Sequence, residues 1–194
     1  MAPPEPPPGP PKRFIDAPRP IASHGDCRAF SSGEPALDTW LKRNALKSQA
    51  SGAARTYVIT AEHTVVGYYA LAVGSVSRRD ATGAVRRNMR DPVPMILLAR
   101  LAVDSHWHGQ GLGAALLRDA ALRTRQAADL AGIWAMLVHA ISPEAARFYR
   151  YFGFQPSPGD ETTLMMTLAG LEQAVALAIT IPTSSQPPIG FPQR

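Results

Sequence analysis

Residues His108-Gly109-Gln110-Gly111-Leu112-Gly113 join two stretches of opposite character. Before them, Met95 to Val103 is a nearly continuous apolar run, the pattern of a strand buried on both faces. After them, Leu112, Leu116 and Ala120 recur at helical spacing. The chain must therefore turn from a central strand into an amphipathic helix through three glycines within five residues. Glycine lets backbone amides approach an anion with no side chain between. The start of a helix adds unsatisfied amides and the positive end of its dipole. A phosphate or pyrophosphate is the natural occupant of such a junction.

A P-loop would close on Gly-Lys-Ser/Thr, and Gly111-Leu112-Gly113 stands there instead, which removes that reading. Gly109-x-Gly111-x-x-Ala114 formally matches the dinucleotide fingerprint. That fingerprint opens an early strand–helix–strand unit, with an acid ending the next strand about 20 residues on. Here the next expected strand ends at His139, and no carboxylate stands in that place. A tight turn that binds nothing would carry the conformational cost of three glycines without a purpose.

Pro3, Pro4, Pro6, Pro7, Pro8, Pro10, Pro11, Pro18 and Pro20 fix backbone angles and remove amide donors in the first twenty residues. They predict a disordered leader over 1–20 that resists helix and sheet. Pro182 to Arg194 is a second Pro- and Ser-bearing segment, so the expected domain covers 21–177, with a flexible tail over 178–194. Within the domain, Ser31-x-x-Glu34 reads as a capping box and Pro35 as a first helical turn. Leu37, Trp40, Leu41 and Ala45 then share one helical face. Thr56 to Thr60 and Val65 to Val73 read as a hairpin turning at Glu62-His63. Ser77 to Asp91 is a polar, basic excursion. Beyond the glycine-led helix, Gly132 marks a break and Ile133 to Val138 the next strand. Ser142-Pro143 starts a helix with Ala145, Phe148, Tyr149 and Phe152 on one face and Gly153 as its stop. Leu164 to Leu168 is the last expected strand and Leu171 to Leu177 a closing helix. No internal repeat is present.

Hydrophobic residues make up 45% of the 194 and charged residues 18%, a globular balance suited to one domain with terminal extensions. No apolar run approaches the roughly 20 residues needed to span a bilayer, and the start lacks the apolar core of a signal peptide. Cys27 is the single cysteine, which leaves no internal disulfide and no Cys-rich metal site. Together these features predict a cytosolic chain with no bound metal and no membrane attachment. The net charge of +5 suits a polyanionic partner, and equally an ordinary basic protein that binds nothing anionic.

Arg100-Leu-Ala-Val-Asp104, the glycine segment and Gly113-Ala-Ala-Leu-Leu117 resemble the acetyl-CoA motif of the GNAT superfamily, Gln/Arg-x-x-Gly-x-Gly/Ala. Gly111 and Gly113 match, while His108 stands where Gln or Arg is usual. A wider set is similar to one branch, the TacT-like GNAT toxins of type II toxin–antitoxin systems. That set is Phe30-Ser-Ser-Gly33, Leu37-Asp-x-Trp-Leu41, Gly52-x-x-Arg-Thr-Tyr57, Val66-Gly-Tyr-Tyr69, the glycine motif and Phe148-Tyr-x-x-Phe-Gly-Phe154. The resemblance covers most of Ile21 to Leu171. It implies an α/β (α+β) fold whose mixed, mostly antiparallel central sheet is splayed at the cofactor site and flanked by helices.

The resemblance also implies acetyl-CoA as cofactor, with backbone groups of Leu101, Ala102 and Val103 pairing with the pantetheine amides. The pyrophosphate would sit at the segment beginning with His108, on amides of Gly109, Gln110, Gly111, Leu112, Gly113 and Ala114. If amides carry the anion, the His108 departure changes little. Tyr149 matches the family's general acid; with an ordinary pKa near 10 it stays protonated at neutral pH and can protonate a leaving thiolate. Read from the residues alone, it is simply one aromatic of a core helix face. No general base is assigned: His63, His106, His108 and His139 each read as surface or core histidines. The implied acceptor is the α-amino group of an aminoacyl-tRNA. A free α-amino group titrates near 8, against about 10.4 for lysine, and an ester should lower it further, so much of it would be neutral at physiological pH and a base is less necessary. Acetylating it would block translation. Lys42, Arg43, Lys47, Arg78, Arg79, Arg86, Arg87, Arg90, Arg147 and Arg150 would then hold the tRNA backbone, although each singly reads as solvated surface charge. Implied partners are a ribbon-helix-helix antitoxin and a second copy of the chain. Rival readings are a GNAT acetylating a small-molecule amine or a protein amine, a catalytically silent acyl-CoA-binding module, and a nucleic-acid binder without catalysis.

Overall fold

The structure is a computed structural model that describes residues 15–23 and 25–180. The leader's Pro3 to Pro11 and the tail beyond 180 lie outside the described residues. Strands β1 (Arg19–Pro20), β2 (Arg55–Ala61), β3 (Thr64–Val76), β4 (Val93–Val103), β5 (Ala135–His139), β6 (Gln155–Ser157) and β7 (Asp160–Thr167) form one sheet in the order β1-β2-β3-β4-β5-β7-β6. Every neighbouring pair is antiparallel except β4–β5. The helices are α1 (Pro35–Arg43), α2 (Ala45–Ser51), α3 (Gly83–Arg86), α4 (Leu112–Ala131), α5 (Pro143–Tyr151) and α6 (Leu168–Thr180). The mixed, mostly antiparallel sheet expected from the resemblance is therefore present.

The expected hairpin forms because β-branched and aromatic residues fill both strands while Glu62 and His63 take positive φ, 49° and 67°. Two such residues give a turn whose twist matches that of the flanking strands. Helix α4 ends at Gly132 in the left-handed region, φ 62°, with its amide on Ala128 O. One face of the sheet carries α4, α5 and α6, packed through Leu98, Leu116, Met136, Phe148, Phe154 and Leu171. The opposite face carries α1 and α2 over Val58, Val65, Tyr68 and Ala102, and the β3–β4 connection over Met95, Ala135 and Met165. Alternation along β4 and β5 distributes these side chains between the two cores.

Three expectations change, and the basic excursion gains an anchor. Residues 15–20 do not resist sheet: Arg19–Pro20 pairs with Tyr57 and Val58, Ile15 bridges Ala61, and Asp16 N donates to Thr60 O at 2.9 Å. Pro18 and Pro20 are tolerated because an edge strand has one side with no ladder to feed. Arg123 of α4 also clasps this strap, donating to Pro18 O at 3.3 Å. At α1 the cap is Glu34, whose carboxylate accepts from Ala36 N, rather than Ser31. Ser32 instead donates to Asp38 at 2.7 Å, and Ser31 is tied to Asp104. The basic excursion after β3 is anchored, with Ala81 and Val85 buried. Finally, the short β6 precedes β7, and α6 runs from Leu168 to Thr180, past the expected end at Leu177.

Candidate active site

The parallel ladder between β4 and β5 stops at Leu98↔Val138, while β4 continues to Val103 and His139 of β5 pairs with Thr163 of β7. The two central strands therefore splay. The far end of β4 keeps a free edge on that side. Asp104 N donates to Val66 O across the β3–β4 ladder at 2.9 Å. Strand alternation then turns the backbone groups of Leu101 and Val103 to the free edge and those of Ala102 toward β3. The Val103 carbonyl is met by His108 Nε2 at 2.8 Å. Between the splayed strands opens a cleft of about 420 Å³, lined by Leu98, Arg100, Leu101, Ala140, Phe148 and Tyr149 among others.

At the end of β4 the chain makes a one-turn 3-10 segment, Ser105–Trp107. Its last amides are already used, Trp107 N on Asp104 O and His108 N on Ser105 O. His108 thus has both its side chain and its amide engaged within the loop, and its part is to shape the segment. Gly109 and Gly111 follow at φ 73° and 78°, a region costly to any side chain. Gly111 caps α4 without a side-chain hydrogen bond, and the first intrahelical bond of the cap is Ala115 N on Gly111 O. The amides of Leu112, Gly113 and Ala114 are consequently the unsatisfied first turn of a 20-residue helix. The Gln110 side chain reaches back to His106 O at 3.3 Å, which leaves its amide as its only offering to a ligand. The donor set is backbone N–H groups at a helix start, and it fits a pyrophosphate.

Tyr149 stands on α5, which begins as expected: Ser142 Oγ accepts from Ala145 N at 3.1 Å and Pro143 follows. Tyr149 is 6% exposed and meets Phe148 and Phe154 edge-on at 5.2 and 5.6 Å. Burial drives its hydroxyl pKa well above the ordinary tyrosine range. It is both a core aromatic and a wall of the cleft, so the two sequence readings of this residue are compatible. Tyr151 is 46% exposed and packs on Phe152, outside the cleft lining. Of His63, His106, His108 and His139, only His139 lines the cleft, with Nδ1 2.8 Å from Thr163 Oγ1.

The cations divide. Lys42, Arg43 and Lys47 on α1 and α2, and Arg78, Arg79, Arg86, Arg87 and Arg90 on the β3–β4 connection, belong to segments on the same face of the sheet. Arg147 and Arg150 lie on α5, on the other face, and both are ion-paired, with Glu144 and Glu161. Arg79 faces Asp80 at 3.5 Å. Asp104 is a site residue that sequence reasoning passed over. It is 7% exposed, and its carboxylate accepts from Ser31 N at 2.9 Å and His106 N at 3.0 Å, locking the loop before the glycines. Its signal was present: an aspartate directly after an apolar strand is a candidate Asx turn, whose carboxylate takes the amide two residues on, here His106 N.

A glycine-led helix start following a splayed strand, with a buried tyrosine in the wall of the cleft, is the arrangement of an acyl-CoA-type acetyltransferase site. Residues 52–156 match the model of the acetyltransferase (GNAT) domain, and the chain belongs to the GNAT family. It is 53% identical over 152 residues to a tRNA-acetylating toxin of Mycobacterium tuberculosis (strain ATCC 25618 / H37Rv), covering 78% of this chain and 92% of that protein. Among solved structures it resembles AtaT in complex with acetyl-methionyl-tRNAfMet, with TM-score 0.75, 26% identity and coverage of 82% and 98% of the two chains. AtaTR bound with AcCoA superposes at TM-score 0.68 with 26% identity, covering 82% and 96%. No helix among the described residues is long and apolar enough to cross a membrane.

Proposed function

We propose that this chain transfers an acetyl group from acetyl-CoA to the α-amino group of an aminoacyl-tRNA, acting as the toxin of a toxin–antitoxin pair. The observations that carry the reading are the cleft between the splayed strands, walled by buried Tyr149, and the free amides at the start of α4, which follows β4 in the chain. The 53% identity to a tRNA-acetylating toxin supports the acceptor.

Leu101 and Val103 would align the pantetheine arm along the free edge of β4, and the amides from Gly109 to Ala114 would hold the pyrophosphate. Acetyl-CoA supplies a thioester-activated acetyl group when bound. Tyr149 holds a proton at its hydroxyl for the departing sulfur, and burial keeps that proton in place at neutral and alkaline pH. A free α-amino group titrates near 8, about two units below lysine, and the ester of the charged acceptor lowers it further, so a neutral fraction is present near physiological pH without a dedicated base. The surplus proton on the new amide nitrogen leaves to solvent and Tyr149 is reprotonated, so no strong base is required in the cleft. The cations of α1, α2 and the β3–β4 connection would hold the tRNA backbone on the face opposite α4. A ribbon-helix-helix antitoxin, a homodimeric state and a cytoplasmic location belong to the same reading.

Incubation with labelled acetyl-CoA and a pool of charged tRNAs, with uncharged tRNA and free amino acids as controls, tests it. Label on charged tRNA alone, lost in Tyr149→Phe, is the expected result. Label on small amines or protein N-termini instead would move the acceptor class while leaving the cofactor site standing.

A further inference from the structure

The register of β3 against β4 steps from Ala70↔Arg100 to Leu71↔Leu98, so Ala99 is an extra residue in β4. Ile96 and Leu98 pack on the α4 face of the sheet, and strict alternation would send residue 100 there too. The bulge inverts the phase. Leu101 and Val103 take the α4 face and Ala102 the α1 face. The Arg100 guanidinium accordingly lies 5.5 Å from the ring centroid of Trp40 on α1, and Arg100 lines the same cleft as Tyr149. The shelf beneath it is fixed. Tyr68 stacks on Trp40 at 5.8 Å and 11°, meets Phe30 edge-on at 5.6 Å, and donates its hydroxyl to Leu37 O at 2.8 Å.

Two other half-buried arginines have carboxylates, Arg19 with Asp26 and Arg123 with Asp119. Arg100 forms no ion pair among the described residues and donates instead to the carbonyl of its neighbour Ala99. Among the described residues it is the only formally charged side chain at the cleft wall. A cation partly withdrawn from water without a counter-charge is unfavourable until an anion arrives. The cofactor's pyrophosphate has its own seat at the start of α4, so an anion at Arg100 comes from the acceptor side.

We infer that Arg100, held on the Trp40 shelf by the bulge at Ala99, binds a phosphodiester at the 3′ end of the charged acceptor and so sets the aminoacyl group against the cleft. A planar guanidinium offers paired donors to phosphate that an ammonium does not. The inference rests on the aminoacyl-tRNA reading. In steady-state acetylation of charged tRNA, Arg100→Met lowers kcat/KM about ten- to a hundredfold, mainly through KM. The slope of log KM against log salt becomes shallower by about one, the signature of one lost phosphate contact. Arg100→Lys keeps the wild-type slope with an intermediate KM, and the acetyl-CoA Kd stays within twofold in both variants. An unchanged KM, a loss with no change of slope, or an acetyl-CoA Kd that rises in step would each overturn the assignment. Wild-type protein that leaves charged tRNA unlabelled would remove the aminoacyl-tRNA reading itself, a failure visible before any variant is compared.

Discussion

The two sides of the cleft are built from different parts of the polypeptide. On the proposed cofactor side the groups offered to a ligand are main-chain amides at Gly109 to Ala114 and the free edge of β4, and the side chains there make hydrogen bonds within the protein: His108 to Val103 O, Gln110 to His106 O, Asp104 to Ser31 N. On the acceptor side the main chain is committed to helices and ladders, and what faces outward is side-chain charge from α1, α2 and the β3–β4 connection. A site made of backbone tolerates substitution at positions such as His108, because the anion meets N–H groups common to all residues but proline. A site made of long cations is set by which arginines remain unpaired, and Arg147 and Arg150 show how a nearby carboxylate removes one from that role.

The largest effect should come from the residue between the two sides. Tyr149→Phe should lower kcat about 10²- to 10⁴-fold with the acetyl-CoA Kd unchanged. Because burial raises the Tyr149 hydroxyl pKa, wild-type kcat should hold its plateau as pH rises to about 10, with no alkaline loss of the acid. Next, Gly111→Val forces a β-branched residue to φ 78° and should weaken acetyl-CoA about tenfold or more, read by calorimetry, with the charged-tRNA contacts intact. Neutralising Arg86, Arg87 and Arg90 together should do the reverse, raising KM for charged tRNA several-fold while the acetyl-CoA Kd holds. Asp104→Asn should destabilise the fold by about 1–3 kcal/mol in denaturant unfolding, because a buried acceptor is replaced where two backbone amides donate. The smallest change belongs to Arg147→Gln, whose exposed pairing with Glu144 should leave both constants within twofold.

The strand–glycine–helix junction proposed to hold the cofactor was legible in the sequence because its elements are local. A buried strand, clustered glycines and an amphipathic helix leave signatures in periodicity and glycine placement, and the chain folds as those signatures require. The Glu62-His63 turn and the Ser142-Pro143 helix start were legible too, since capping and turn chemistry are local. What escaped was long-range. Nothing near Arg19 tells that Tyr57 and Val58 will offer it an open edge and that Arg123 will clasp Pro18. Ser31 reads as a helix cap until Asp104, 73 residues away, claims its amide. The bulge at Ala99 carries no glycine or other marker in an apolar run, so simple alternation would misplace Arg100 on the wrong face. The division of the arginines into paired and unpaired was likewise a matter of tertiary neighbours.

The most direct test of this division of labour follows two constants of the wild-type protein as potassium chloride is raised. Between 50 and 200 mM, KM for charged tRNA should rise on the order of tenfold or more, while the acetyl-CoA Kd changes far less. A KM for charged tRNA as flat as the cofactor Kd would contradict an acceptor held by side-chain cations.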